Sequence, residues 1–272
     1  MYETDHPVYP QLQKIGREIT QKVKPKAVVV FSAHWQGERD VIEINTFENT
    51  ELIYEYLLFS HQTRTMLTLD SFYGFPANYY KETYPNKGSP EIAQKVIDSL
   101  TAAGIKSHGM RRGLDHGVWA SFKVAFNEKT NPLNVPVVQV SLFDTEDPAQ
   151  HIALGRAVTR LRDEGIQIIV SGMAVHNLRD LRWGQQGVKP YAKSFDEALR
   201  EAVEAESEAE REEKLVELLK RPDARPAHPS FEHLLPIHIG AGAAGSDKGK
   251  RLWTLAEGSF SWAQFRFGDA PE

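Results

Sequence analysis

Two short apolar runs constrain the fold of this chain most. Ala27-Val28-Val29-Val30-Phe31-Ser32-Ala33 and Ile166-Gln167-Ile168-Ile169-Val170-Ser171 are almost continuously hydrophobic and rich in β-branched residues. Such runs suit strands covered on both faces, as in a parallel sheet sandwiched by helices. Each run leads to a histidine. His34 follows the first directly, and His176 follows the second after Gly172-Met173-Ala174-Val175. Open α/β sheets bind ligands beyond the carboxyl ends of their strands, so these two histidines are the first candidates for a site.

The rest of the chain fits that architecture. Leu12, Ile15, Ile19 and Val23 recur at helical spacing and predict a helix over Tyr9 to Val23, ended by Pro25. Val41 to Asn45 alternates as a strand. Ser89 can cap a helix from Pro90 to Ala103, with Gly104 just past its end. Val135 to Val140 reads as a strand, and Pro148 to Glu164 as a helix closed by Gly165. Phe195 to Lys220 reads as one long charged helix whose glutamates form a solvated face. Leu234 to Ala244, apolar and then small, predicts a helix packed closely on its neighbours. Phe260 to Phe267 alternates as a last strand, whereas Leu52 to Leu69 fits neither period. Strands alternating with helices predict a single α/β domain over residues 1–272, with a mostly parallel central sheet flanked by helices.

Composition narrows the chemistry. The net charge is −5, with no basic stripe interleaved with aromatics, which argues against a nucleic-acid partner. No apolar run approaches the roughly 18 residues of a membrane span, so no membrane partner is expected. The start of the chain lacks the basic and apolar blocks of a secretion signal, and the expected location is cytoplasmic. There is no cysteine. Imidazole, helped by carboxylates, is then the strong transition-metal ligand this chain can offer.

A lone histidine is more often a packed or surface group than a ligand. His6, His61, His108, His151 and His238 keep that plain reading. His34, at the end of a buried strand and before Trp35, and His176, before Asn177, favour function. His116 lies between Asp115 and Gly117, and a neighbouring carboxylate can orient an imidazole for acid–base work. Alone it reads equally as a turn residue. His228 is held extended by Pro229, and His233 follows Glu232 at the start of the apolar helix. Together, two or three neutral imidazoles can bind one divalent ion such as Fe(II) or Zn(II).

These contexts resemble the LigB-type extradiol ring-cleavage dioxygenases, and among them the DOPA dioxygenase branch. The resemblance rests on Phe31-Ser32-Ala33-His34-Trp35, Phe72-Tyr73-Gly74-Phe75-Pro76, Leu114-Asp115-His116-Gly117-Val118-Trp119, Ser171-Gly172 with His176-Asn177-Leu178, and Ala227-His228-Pro229 with Glu232-His233-Leu234-Leu235-Pro236. Their order and spacing match along almost the whole chain. The resemblance implies one divalent metal ion, Fe(II) for ring cleavage or Zn(II) as bound, and a small aromatic diol and O2 as reactants. It implies His34 and His233 as metal ligands, with His176 beside them as base or additional ligand. His116 is implied as a further catalytic, substrate-side histidine, and His228 as a pocket residue. Trp35, Phe75 and Trp119 could wall an aromatic substrate, and core packing suits each equally.

Two departures from the family pattern carry expectations of their own. Family members begin with a strand ending in Ser-His-Gly, whose histidine is a further ligand; this chain is expected to be truncated just after it. Residues 57–69 look inserted. Two other functions therefore stand beside ring cleavage: a metal-dependent hydrolase using the same histidines, and a metal-poor inactive relative.

Overall fold

The computed structural model describes residues 4–54, 56–58, 67–69, 81–181 and 187–271. Its centre is a five-stranded sheet. The strands are β1 (Ala27–Gln36), β2 (Val41–Asn45), β3 (Lys106–Met110), β4 (Val137–Leu142) and β5 (Ile166–Ser171), in spatial order β3-β2-β4-β1-β5. β1 runs parallel to both neighbours, with Val28 opposite Val137 on one side and Val28 opposite Gln167 on the other. β2 is parallel to β3 and meets β4 antiparallel at Ile44 and Val140. The sheet is mostly parallel, as the apolar runs predict.

Burial follows position in the sheet. Residues Ala27 to Ala33 of β1 and all of β4 are buried. β5 reads just as apolar but sits at the edge among the described strands, and only Ile166 is fully buried. Its Ile169 and Val170, with Leu12 and Ile15 from the first helix, line a largely apolar cavity of about 250 Å³.

Eight α-helices are described: α1 (Val8–Arg17), α2 (Pro90–Ala102), α3 (His116–Ala125), α4 (Pro148–Ala157), α5 (Pro190–Val203), α6 (Glu208–Leu218), α7 (Ala224–Ala227) and α8 (Leu235–Ala244). α1 continues as a π-helical segment to Val23, which gives the helix expected before Pro25. Ser89 caps α2, its hydroxyl accepting the Ile92 N–H at 3.2 Å. The helix expected to run to Glu164 leaves α geometry after Ala157 and finishes as a 3₁₀ segment, which Gly165 ends at φ 81°.

Two expectations fail for local reasons. The long charged helix is two helices. Ser207 accepts the Glu210 N–H at 3.2 Å and starts α6 afresh, so α6 folds back beside α5. A serine hydroxyl competes with the helical backbone for such bonds, and the glutamate pattern hides that signal. Arg211, inside the charge run, is buried and donates to the carbonyls of Asp247 and Ala241 near the end of α8. The expected last strand is also divided. β6 (Val175–His176), β7 (Gly249–Trp253), β8 (Ala256–Glu257), β9 (Phe260–Ser261) and β10 (Gln264–Phe267) complete the strands of this half. β9 pairs with β8 and β6, whereas β10 pairs with β7. Of the segment expected to be inserted, Leu57–Leu58 and Leu67–Leu69 lie in short strands that pair antiparallel, and the remainder lies outside the described residues. Among the described residues no helix is long and apolar enough to cross a membrane.

The close packing expected of the small residues in α8 is realised against α4. A Cβ on Gly242 would stand 2.1 Å from the Ile152 carbonyl oxygen, and one on Gly155 2.1 Å from the Ile239 oxygen. The two backbones touch reciprocally, and neither can yield without moving a helix. Gly242→Ala should therefore cost about 2 kcal/mol or more of stability, as overpacking does, read as a lower urea midpoint; an unchanged midpoint would refute the contact.

Candidate metal centre

The site grows from β1. The His34 N–H donates to Ser32 Oγ at 3.2 Å, and that hydroxyl donates to Asp115 Oδ1 at 2.8 Å. Asp115 is buried and caps α3 by accepting the Val118 N–H at 3.3 Å. Its other oxygen accepts from Arg112 Nη1 at 3.2 Å and from the Gln139 amide. Arg112 Nη2 reaches the His34 carbonyl at 3.4 Å. A buried carboxylate is tolerated only with such partners, and here they tie β1, β4 and α3 together.

The same network brings His116 to His34. His116 opens α3, and its ring centroid lies 4.0 Å from that of His34. Gly117 permits the approach, since a Cβ there would stand 2.6 Å from His34 Cδ2.

The other half comes from the segments after β5 and before α8. The Met173 N–H donates to the His233 carbonyl at 2.9 Å, joining the two. His233 Nδ1 donates to Glu232 Oε1 at 3.1 Å, while its Nε2 lies 3.3 Å from His34 Nε2. The His176 ring stacks on His233 at 3.8 Å, within 11° of parallel. His116, His34, His233 and His176 thus form one continuous row of rings, with His34 and His233 drawn together from 199 positions apart in the chain.

The electrostatics favour the neutral form of His34, His116 and His176. Burial pushes His34 well below its ordinary value, and the neighbouring His116, His233 and His176 add to the effect. Burial lowers His116 as well, opposed by the Asp115 charge. His176 falls to about 3 through burial, then through His233 and His228, against the opposing charge of Glu232. Burial alone would raise Glu232, but the hydrogen bond and charge of His233 outweigh it and bring the carboxyl down to about 2.

Neutral imidazoles are the form that binds metals, and the donor set fits a divalent ion. Two nitrogens each about 2.1 Å from one ion stand about 3 to 3.5 Å apart, which matches the 3.3 Å between His34 Nε2 and His233 Nε2. Donor atoms of His176, Glu232 and His233 also lie within 4.8 Å of one another. Glu232 is engaged on the Nδ1 side of His233, away from His34. Its geometry is that of a carboxylate orienting a ligand histidine, a common arrangement behind metal sites.

The remaining expected site residues stand behind this row. Trp35 is buried, donates from Nε1 to Glu43 at 2.9 Å and carries the Arg112 guanidinium over its ring. Trp119 is fully buried and donates to the Ile53 carbonyl at 3.1 Å. His228 is fully buried, donates from Nε2 to the Ala174 carbonyl at 2.9 Å and packs against Phe195. All three side chains are buried in this structure. Phe75 and His61 lie outside the described residues. His6 pairs with Glu257 at 3.0 Å, and His151 and His238 are buried, bonded to the Asp147 and Leu215 carbonyls. Sequence reasoning assigned no role to Ser32, Arg112 and Gln139; Ser32 and Gln139 are polar residues inside apolar strands, and Arg112 follows the end of β3.

Imidazoles brought together from two sides of an α/β sheet form a donor set that could hold one divalent ion. The family can be stated more closely. Residues 2–263 match the family of the catalytic LigB subunit of aromatic ring-opening dioxygenase, and the chain belongs to that family. It is 35% identical over 238 residues to 4,5-DOPA dioxygenase extradiol of Beta vulgaris, covering 87% of this chain and 80% of that one. It is 30% identical to a protein of the same name from Escherichia coli K12, covering 85% and 76%. The crystal structure of the uncharacterized protein JW3007 from Escherichia coli K12 superposes with a TM-score of 0.71 at 29% identity, over 94% of this chain and 91% of that one.

The lowered histidines have a consequence for stability. Unfolding returns each to an ordinary value near 6.5, so below that pH the unfolded chain binds protons that the folded chain refuses. Stability should be fully present above about pH 6.5 and fall as the pH drops towards the folded values, about 4 for His228. Without added metal the protein should lose Tm steadily between pH 7 and 5; a flat profile would contradict the lowered values of His34, His116, His176 and His228.

Proposed function

We propose that this chain is an extradiol dioxygenase that opens the ring of a catechol, DOPA-like or another aromatic diol, with O2. The observation that carries the reading is the approach of His34 Nε2 to His233 Nε2, 3.3 Å apart, with His176 and His116 at the two ends of the row. His34 and His233 would hold one divalent ion, Fe(II) for turnover, with Zn(II) acceptable to the same donors and His176 beside them as base or additional ligand. That ion would supply a common point at which the diol and dioxygen meet.

The protein's own groups supply the rest. Glu232 and the Asp115 network fix the two facing imidazoles before any ligand arrives, so little reorganisation remains at the moment of reaction. His176 and His116 are neutral, and a neutral imidazole can accept a proton from a phenolic hydroxyl and return it later. Burial lowers His116 overall, and the Asp115 charge beside it offsets part of that lowering. Trp35, Trp119 and His228 act as the packing against which β1, α3 and the Ala174 loop are set. In the reaction, the carbon–carbon bond beside one hydroxyl-bearing carbon breaks. Both atoms of O2 enter the product, one in a carboxyl and one in an aldehyde. The relatives named as 4,5-DOPA dioxygenase extradiol support the substrate class.

The test is oxygen dependence. Protein loaded with Fe(II) and mixed with a catechol panel without air should stay colourless. Admitting air should then give a yellow ring-opened product with one O2 consumed per product. His34→Ala and His233→Ala should each lower iron content and abolish colour. Turnover of an ester or amide under argon would instead favour the hydrolase, and iron-loaded protein inert across the panel would reject ring cleavage.

A further inference from the structure

His176 is the member of the row whose orientation is hardest to account for. Among the described residues neither of its ring nitrogens makes a hydrogen bond, whereas His233 is fixed by Glu232 and His228 by Ala174. Its strand, β6, is two residues long. What holds the ring is stacking: on His233 at 3.8 Å, and on Phe260 at 5.6 Å with 29° between planes. Phe260 is also its partner in the backbone ladder, directly opposite His176 in the antiparallel pair β9–β6. Side chains directly opposite each other in such a pair share a face and touch.

Phe260 is itself gripped. Ser259 Oγ donates to the Asn177 carbonyl at 2.7 Å, and Ser261 Oγ donates to Asp196 Oδ1 at 2.7 Å. Both serines are buried. Because side chains alternate along a strand, anchoring these two turns Phe260 to the opposite side, towards His176. The Asn177 side chain secures the other strand, donating to the Pro226 carbonyl at 2.7 Å.

We propose that Phe260 is a positioning residue, a phenyl plate that fixes the His176 imidazole against His233 for proton transfer. The assignment rests on the ring-cleavage reading for its catalytic meaning, and on the stacked geometry alone for its structural one. Phenyl suits the task because it offers a flat, rigid face on which the imidazole can stack. A flexible aliphatic chain fills the volume but leaves the imidazole free to turn.

The experiment compares Phe260→Leu and Phe260→Tyr with the parent. In the iron-loaded enzyme, Phe260→Leu should lower kcat about tenfold or more, the scale expected when a reacting group is misplaced by less than an ångström or so. KM for the catechol, iron content and Tm should stay close to the parent's, and Phe260→Tyr should restore kcat. In metal-free protein, the His176 ring-proton resonances should shift in Phe260→Leu, while those of His34 and His116 stay in place. Should the leucine variant not fold, Phe260→Met carries the same test. Unmoved His176 resonances, an unchanged kcat, or a kcat loss that merely tracks lost iron would each overturn the proposal. A parent without ring-opening activity whose His176 resonances still shift on substitution would reject ring cleavage and leave the positioning role standing.

Discussion

The buried Asp115 carboxylate is the constraint on which the site depends. Isolated, it would be intolerable in the core; satisfied by Ser32, Arg112, Gln139 and the first turn of α3, it becomes a joint. Each of its partners belongs to an element that must sit correctly for His34 or His116 to be placed. Ser32 holds the backbone of His34, Arg112 reaches the His34 carbonyl, and the cap fixes the helix that begins with His116. One charge therefore sets the relation between two imidazoles 82 residues apart in sequence, as their numbers give. Removing it would leave several donors unsatisfied at once, so the network can only be kept or lost whole.

The second half of the row is built by another means. Glu232 and His233 are adjacent in sequence and pair through Nδ1, and the segment carrying them is tied to the chain after β5 by the Met173 bond. α8 follows directly, and its glycines lock it on α4. The Nε2 of His233 thus belongs to a segment leading into a helix that has little freedom to slide. The two halves face each other across the 3.3 Å separation of His34 Nε2 and His233 Nε2. Two imidazole nitrogens gain little from each other there. An ion between donors already held by the fold would have little ordering left to impose on them.

Much of this was legible in the sequence, and the exceptions have physical reasons. β1 and β4 could be read because central strands of a parallel sheet need unbroken apolar runs. β3 could not, because Lys106-Ser107-His108-Gly109-Met110 is an edge strand with little to bury. The split between α5 and α6 was hidden because glutamates at nearly every step mask the cap at Ser207. Among the histidines, motif context picked out the four that form the row. It could not separate them from His228, Trp35 and Trp119, since a residue in a motif may be kept for contact or for support, and only burial distinguishes the two.

Support of that kind explains why the aromatic residues near the site differ so much in what they do. Trp35 and Trp119 spend their N–H groups on Glu43 and on the Ile53 carbonyl, which commits each ring to one orientation inside the core. Phe260 has no such handle and can act through its face alone, so its backbone is held by the flanking serines instead. The same division applies to the imidazoles. Those fixed by hydrogen bonds, His233 and His228, have a nitrogen already spent. His176, fixed by stacking, keeps both nitrogens for ligand or proton. Holding a ring by its face is how a fold can position an acid–base group without consuming the atoms that do the chemistry.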